Sequence, residues 1–257
     1  MINAYFQEIK RFKWSIISII IVTLLSYSIY LFASDQFVIN IGLEENLFEG
    51  LTSLFLFLSS VFFFLSIKRA NFFMISLSIF LLFGAAEEIS WGQRIFNFKT
   101  RETIKKENIQ GELNIHNLPI FNASNDREHN HKKGLQRLLE MNFMFRVFCV
   151  SFGFILPLLT FHVPFFSRFI NKIKLPVPPI TIGVFFFLTW LFYRLILDHL
   201  VPGKVEGYYA TTSEIWEFLS AFIFLHISIY FYKTRNDKVL GKDFKQIQTT
   251  SKKTFQL

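Results

Sequence analysis

The stretch Gly84-Ala85-Ala86-Glu87-Glu88-Ile89-Ser90-Trp91-Gly92-Gln93-Arg94 closes a long apolar run with two adjacent carboxylates. The run behind it begins at Asn71-Phe72-Phe73-Met74 and continues almost unbroken to Ala86. At about 1.5 Å per helical residue it places Glu87 ~24 Å above Asn71, in a hydrocarbon core about 30 Å thick. The pair therefore falls at or just below the far membrane boundary. Acids at that depth cost free energy, so they read as a functional site rather than a helix end surfacing among headgroups.

The rest of the chain fits a membrane setting. Of its 257 residues 52% are hydrophobic and 36 are Phe, and the mean hydropathy is +0.38. A soluble domain of this length does not carry that much apolar surface. The expected fold is an all-α polytopic transmembrane bundle with six spans, at 14–32, 47–67, 71–90, 143–163, 180–197 and 213–232. The first run is longer than the roughly 7–15 apolar residues of a signal peptide and reads as an uncleaved span. Pro157 predicts a kink in the fourth run. Pro176, Pro178 and Pro179 suit the entrance of the fifth. Cys149 stands alone within an apolar run, so it forms no internal disulfide and reads as a small buried hydrophobe.

The net charge of +8 does not point to nucleic acid, because the basic residues stand at the ends of apolar runs, where they orient helices and meet lipid headgroups. Segments 1–13, 68–70, 164–178 and 233–257 hold 15 of the 27 Lys and Arg but three of the 19 acids. Both termini are therefore expected in the cytoplasm. The division is 1–96 for spans one to three, 97–142 for an extracytoplasmic segment, 143–232 for spans four to six and 233–257 for a basic cytoplasmic tail. This matches a multi-pass protein of a bacterial cytoplasmic membrane, with membrane lipids as its partners.

In this topology the acidic helix ends all lie outside. Glu44, Glu45 and Glu49 open span two, and Glu214 and Glu217 open span six. The helix macrodipole favours acids there, and Thr211 with Glu214 fits a capping box. Glu87, Glu88 and Asp198 instead end their helices, where the dipole opposes a negative charge, so they need another partner. Arg194 is one candidate, either for Asp198 four residues on or for the glutamate pair.

A charged stretch follows Arg94 and leads to Asn108-Ile109-Gln110-Gly111-Glu112-Leu113-Asn114-Ile115-His116-Asn117-Leu118. Helical or extended, this spacing puts Glu112 and His116 on one face. With Glu87 or Glu88 they make a three-ligand set for a divalent metal ion, Glu88 being the one preferred; zinc uses such sets, and the oxygen donors equally suit magnesium, calcium or manganese. Without a metal, paired carboxylates at a partly dry boundary split into an acid and a base, and His116 can carry protons near neutral pH. His129 and His131, in a polar context, read as solvated.

The combination Glu87-Glu88-Ile89-Ser90-Trp91-Gly92-Gln93-Arg94 with Asn108-x-Gln110-Gly111-Glu112-x-Asn114-x-His116-Asn117 resembles a group of bacterial polytopic membrane proteins of uncharacterised function, with weaker similarity around Glu45 and Glu49. The resemblance implies that these polar positions belong together. A glutamate pair also opens the site of the CAAX-protease-like membrane metalloproteases, but Arg94 lies six residues beyond Glu88, too far for that pattern.

The expected function is an outward-facing Glu/His/Arg site that processes a lipid-linked or cell-envelope substrate. Glu87, Glu88, Glu112 and His116 are the catalytic candidates. Trp91, Gln93, Arg94, Asn114, Asn117, Arg194 and Asp198 are the candidate substrate contacts, with Arg194 as a clamp for phosphate or carboxylate. The rivals are a transporter or channel, in which the same groups line a path, and a non-catalytic subunit whose outer segment docks a partner.

Overall fold

The computed structural model describes residues 2–41, 47–67, 71–109, 111–122, 132–199 and 206–235. Glu44, Glu45, Gln110, His129 and His131 lie outside the described residues, as does the tail beyond Arg235. Every regular element described is helical. The long ones are α1 (Ile2–Phe32), α3 (Leu47–Leu65), α4 (Phe72–Glu88), α10 (Ile180–His199) and α11 (Glu206–Thr234). Between them lie α2 (Asp35–Ile41), α5 (Gln93–Phe96), α6 (Glu102–Glu107), α7 (Met141–Val150), α8 (Leu156–His162) and α9 (Pro164–Ile173).

Among the described residues, five stretches are long and apolar enough to cross a membrane: Tyr5–Phe32, Leu47–Leu65, Met141–His162, Ile180–His199 and Tyr208–Thr234. Their outer faces carry exposed apolar side chains, among them Leu24, Leu25 and Leu31 of α1 and Phe57 and Phe64 of α3. A continuous surface of that kind belongs against lipid rather than water. The chain has the composition and architecture of a multi-pass helical membrane protein.

The third expected run differs from the other five. Instead of reaching residue 90, α4 stops at Glu88 after 17 residues, about 26 Å at helical rise. Its start is set locally, because Asn71 Oδ1 accepts the N–H groups of Phe73 and Met74 at 3.0 and 3.3 Å, an N-cap. It lies antiparallel against α3 over its length: the Ser53 hydroxyl donates to Ala85 O at 2.7 Å, and Ser60 donates to Ser78 O at 2.7 Å. Small side chains let these helices approach closely, so α4 shares whatever depth α3 occupies.

Helix α11 is the axis of the bundle. Ile215, Trp216, Leu219, Ala221, Ile223, Phe224 and Ile227 are all completely buried along it. From Thr211 to Tyr232 none of its residues is exposed, as expected of a helix at the centre of a bundle. It also begins at Glu206, not at 213, and this corrects the reading of its acids. The Thr211 hydroxyl donates to Val38 O at 2.6 Å, so it holds α2 and forms no capping box with Glu214. Glu214 and Glu217 lie two to three turns inside the helix, beyond the reach of its N-terminal dipole.

The expected kink at Pro157 takes the form of a π-helical turn at Ser151–Ile155 between α7 and α8. Proline has no N–H to give to the Gly153 carbonyl four residues earlier. That carbonyl instead faces α10, where a Cβ on Gly183 would lie 1.8 Å from the Gly153 oxygen. The two helices cross backbone to backbone, which only a glycine at 183 permits.

Candidate functional site

The break after α4 builds the site. Ser90, Trp91 and Gly92 have φ of +47°, +55° and +78°, and three successive left-handed residues end the helix and turn the chain back on itself. Only Gly92 adopts this region without steric cost, and such backbone concentrates at functional sites. The turn returns the Trp91 indole N–H to Glu87 Oε1, at 2.5 Å. The Trp91 ring packs on Phe83, 5.5 Å between centroids.

The other Glu87 oxygen anchors the segment that carries the Asn108–Asn117 motif. Oε2 accepts the backbone N–H groups of Ile115 and His116 at 2.7 and 3.0 Å, and His116 Nδ1 stands 3.4 Å from it. Only 5% of Glu87 is exposed. A buried carboxylate surrounded by N–H donors is well compensated for the dipole it opposes. The contact directs the proton of a neutral imidazole to Nδ1 and leaves Nε2, which has no partner among the described residues, as an acceptor.

Around this anchor the polar motif closes on itself. Glu112 Oε2 accepts the Ser90 hydroxyl at 2.6 Å and the Asn114 amide at 3.0 Å. Asn108 donates to Asn114 O and Oδ1 at 2.8 and 2.9 Å, and Gln93 Oε1 accepts Leu113 N–H at 2.8 Å. Asn117 accepts from Ile109 N–H through its carbonyl and from Asn122 through its side chain. Asn108, Asn114 and Asn117 are each buried. These hydrogen bonds hold the segment's shape, and they engage Gln93, Asn114 and Asn117. The Arg94 side chain lies outside the described residues.

Glu88 does not join them. One residue on a helix is a rotation of about 100°, and it turns Glu88 towards α11, where carboxylate oxygens of Glu88, Glu214 and Glu217 all lie within 4.8 Å of one another. The expected metal set of Glu88, Glu112 and His116 is therefore not the one assembled: Glu112 and His116 belong to the Glu87 network, and two α11 glutamates take their place. Glu49 of α3 adds a further negative field at Glu88. Between charged carboxylates at that spacing, repulsion is roughly 3 kcal/mol per pair at an effective dielectric near 20. The Ser213 hydroxyl donates to Glu217 Oε1 at 3.1 Å, and a cation or bound protons would offset the repulsion further. An all-oxygen set suits hard divalent ions.

Glu88 also lines a cleft of about 980 Å³ with Glu49, Gln93 and Glu112, and Lys99 and Lys105 form part of its wall. Arg194 is elsewhere, paired with Asp198 at 3.6 Å, both about half exposed. That pair does not reach the glutamates. A different arginine, Arg146 of α7, lies over the rings of Tyr193 and Trp216, 5.1 and 5.7 Å from their centres, and Trp216 is the neighbour of Glu217 in α11. Sequence reasoning missed Glu214 and Glu217 as site residues and did not single out Arg146. An arginine inside an apolar run is itself a signal, and Glu214 with Glu217 shows the three-residue spacing that puts both on one helix face.

The chain matches no protein-family model, no curated protein and no solved structure.

Proposed function

We propose that the protein is a membrane-embedded, cation-assisted enzyme that transforms a lipid-linked or cell-envelope substrate at the outer boundary of a bacterial cytoplasmic membrane. The observation that carries this reading is the convergence of the Glu88, Glu214 and Glu217 carboxylates beside the cleft. Three carboxylates hold a divalent ion and leave coordination positions for water and substrate, the arrangement a Lewis acid needs. His116, oriented through Nδ1 by Glu87, supplies Nε2 as general base for the attacking water or hydroxyl. Against a transport role, the interior below Glu217 is filled by Leu219, Ile223, Phe224 and Ile227, all fully buried.

Manganese binding to the purified protein, followed by electron paramagnetic resonance, tests the cation site. Wild type is expected to bind, and Glu88→Gln and Glu217→Gln each to lose about tenfold or more in affinity, since ligand charge sets the strength of such sites. His116→Ala is expected to keep the ion. A wild type that binds no manganese, or glutamine variants that bind it equally well, would remove the proposal.

Orientation has its own check, helped by the complete burial of Cys149, which keeps the native thiol silent. Leu138→Cys, on an exposed position before α7, is expected to react with a membrane-impermeant maleimide in intact cells. Lys233→Cys, exposed at the end of α11, should react only after permeabilisation. The reverse pattern would place the cleft in the cytoplasm.

A further inference from the structure

The cleft beside Glu88 sits where two helices run out. Part of its lining is the first turn of α3, with Glu49 and Gly50, and the end of α4, with Glu88 and Ile89. One turn further into the pair the Ser53 hydroxyl meets Ala85 O at 2.7 Å, so the two helices are in contact there and the cavity lies at the level of their ends. The rest of the lining runs from Gln93 to Lys105, beyond the left-handed turn, and adds Gly111 and Glu112. That stretch changes character along its length. Ile95, Phe96 and Phe98 are exposed, Phe96 by 77%, and Lys99, Arg101, Lys105 and Lys106 follow, exposed as well. Ile95, Phe98, Lys99 and Lys105 belong to the wall of the cleft itself.

Three exposed apolar side chains in four residues are unfavourable against water and favourable at a membrane boundary, where long basic side chains reach the headgroups beside them. Two observations put them at that boundary. Helix α4 lies along α3, which is long enough to span, and its 17 residues reach about 26 Å of a hydrocarbon core about 30 Å thick, so the chain leaves the helix close to the edge of that core. The exposed face of α4, with Ile79, Phe80 and Leu82, also leads into the turn, because the Phe83 ring meets that of Trp91 at 5.5 Å and Trp91 is itself exposed. The lipid-facing surface thus extends to the apolar lip of the cleft. On the α3 side Gly50 leaves the way open, since a Cβ there would meet nothing within 4 Å. A cavity with charges of both signs inside and an apolar lip at the bilayer fits a molecule that is polar at one end and apolar at the other.

We infer that the cleft takes a lipid directly from the bilayer, its acyl chains lying against Ile95, Phe96 and Phe98 at the lip and its polar head among the glutamates and lysines inside. The substrate is then an amphiphile and not a water-soluble molecule of the cell envelope. This rests on the reading of the cleft as the substrate site. Recognition of the chains resides in Ile95 and Phe98, the two lip residues that also form the cleft wall.

The test uses the full chain in vesicles of phosphatidylethanolamine and phosphatidylglycerol, doped with a phosphatidylethanolamine that carries a photoreactive diazirine on its amine. Labelled peptides are mapped by mass spectrometry. Labelling is expected at Glu49 or Glu112, because alkyl diazirines favour carboxylates, and excess glycerophosphoethanolamine, the same head without chains, should leave it unchanged. Ile95→Asn combined with Phe98→Asn is expected to lower labelling in the cleft by about tenfold or more, the worth of burying one large apolar side chain, while manganese affinity stays at the wild-type level. Gly50→Leu, which fills the cleft from the α3 side, should have the same effect, and it decides the matter if the double variant does not fold. Labelling confined to residues outside the cleft, full competition by the soluble head, or folded variants labelled as strongly as wild type overturns the inference. A Phe96→Cys protein that forms disulfide-linked dimers in vesicles, with no labelling in the cleft, would assign the exposed face to a second copy and overturn it as well. Cleft labelling in a protein that binds no manganese would sink the cation reading and leave lipid entry standing; manganese binding without cleft labelling would do the opposite.

Discussion

Glu87→Gln and Glu88→Gln, one residue apart, are expected to have opposite effects on stability. Glu87 accepts N–H donors through both oxygens, Trp91 at Oε1 and Ile115 and His116 at Oε2. A glutamine keeps one oxygen and turns an NH2 towards at least one of those donors. The loss of charge-assisted bonds and the burial of an unpaired N–H should cost about 3–5 kcal/mol. The segment that carries the motif should loosen with it, exposing the Lys105-Lys106 region to trypsin. Glu88→Gln instead removes one member of the carboxylate cluster. Without added cation it should leave thermal stability unchanged or raise it, while weakening manganese binding by about tenfold or more, the pattern of a charge retained for function. Melting curves of the three proteins in one detergent decide this. A Glu87→Gln protein as stable and protease-resistant as wild type would show that the anchor is dispensable, and a destabilised Glu88→Gln would assign Glu88 to the scaffold.

Gly183→Ala should be the most damaging methyl group that can be added to any of the described glycines. Its Cβ would lie 1.8 Å from the Gly153 carbonyl oxygen and 2.6 Å from the carbonyl carbon, and backbone cannot turn aside as a side chain can. The helices must part along the crossing, at a cost of about 3 kcal/mol or more. Gly153→Ala should cost less, because its Cβ first meets the Phe186 ring at 2.2 Å, and a ring edge can shift. Gly50→Ala, with nothing within 4 Å, should cost nothing and gain up to about 1 kcal/mol of helix propensity. Thermal melting in detergent ranks the three. Gly183→Ala melting with wild type would mean that the crossing is looser than its geometry.

Much of the architecture was legible in the chain. Apolar runs longer than a turn-rich loop allows must become helices wherever the backbone lacks water, so most run positions and the disturbance at Pro157 followed from local chemistry. The glutamate pair and the Asn108–Asn117 motif could be recognised as polar groups out of place. Their partners could not. Glu87 and Glu88 are chemically identical in sequence. Which one anchors the segment and which one meets α11 depends on the helix's rotation and on the left-handed turn at Ser90–Gly92, neither of which residue type fixes. The same holds for the arginines. Arg194 had a carboxylate at the right spacing, yet α10 turns that pair outward, whereas Arg146 owes its place over the Tyr193 ring to α7 packing against α10. Local propensity and hydrophobicity act along the chain and leave their mark in it. The meeting of Glu88 with Glu214 and Glu217 joins residues more than 120 positions apart, and only the packing of α3, α4 and α11 around one another decides it.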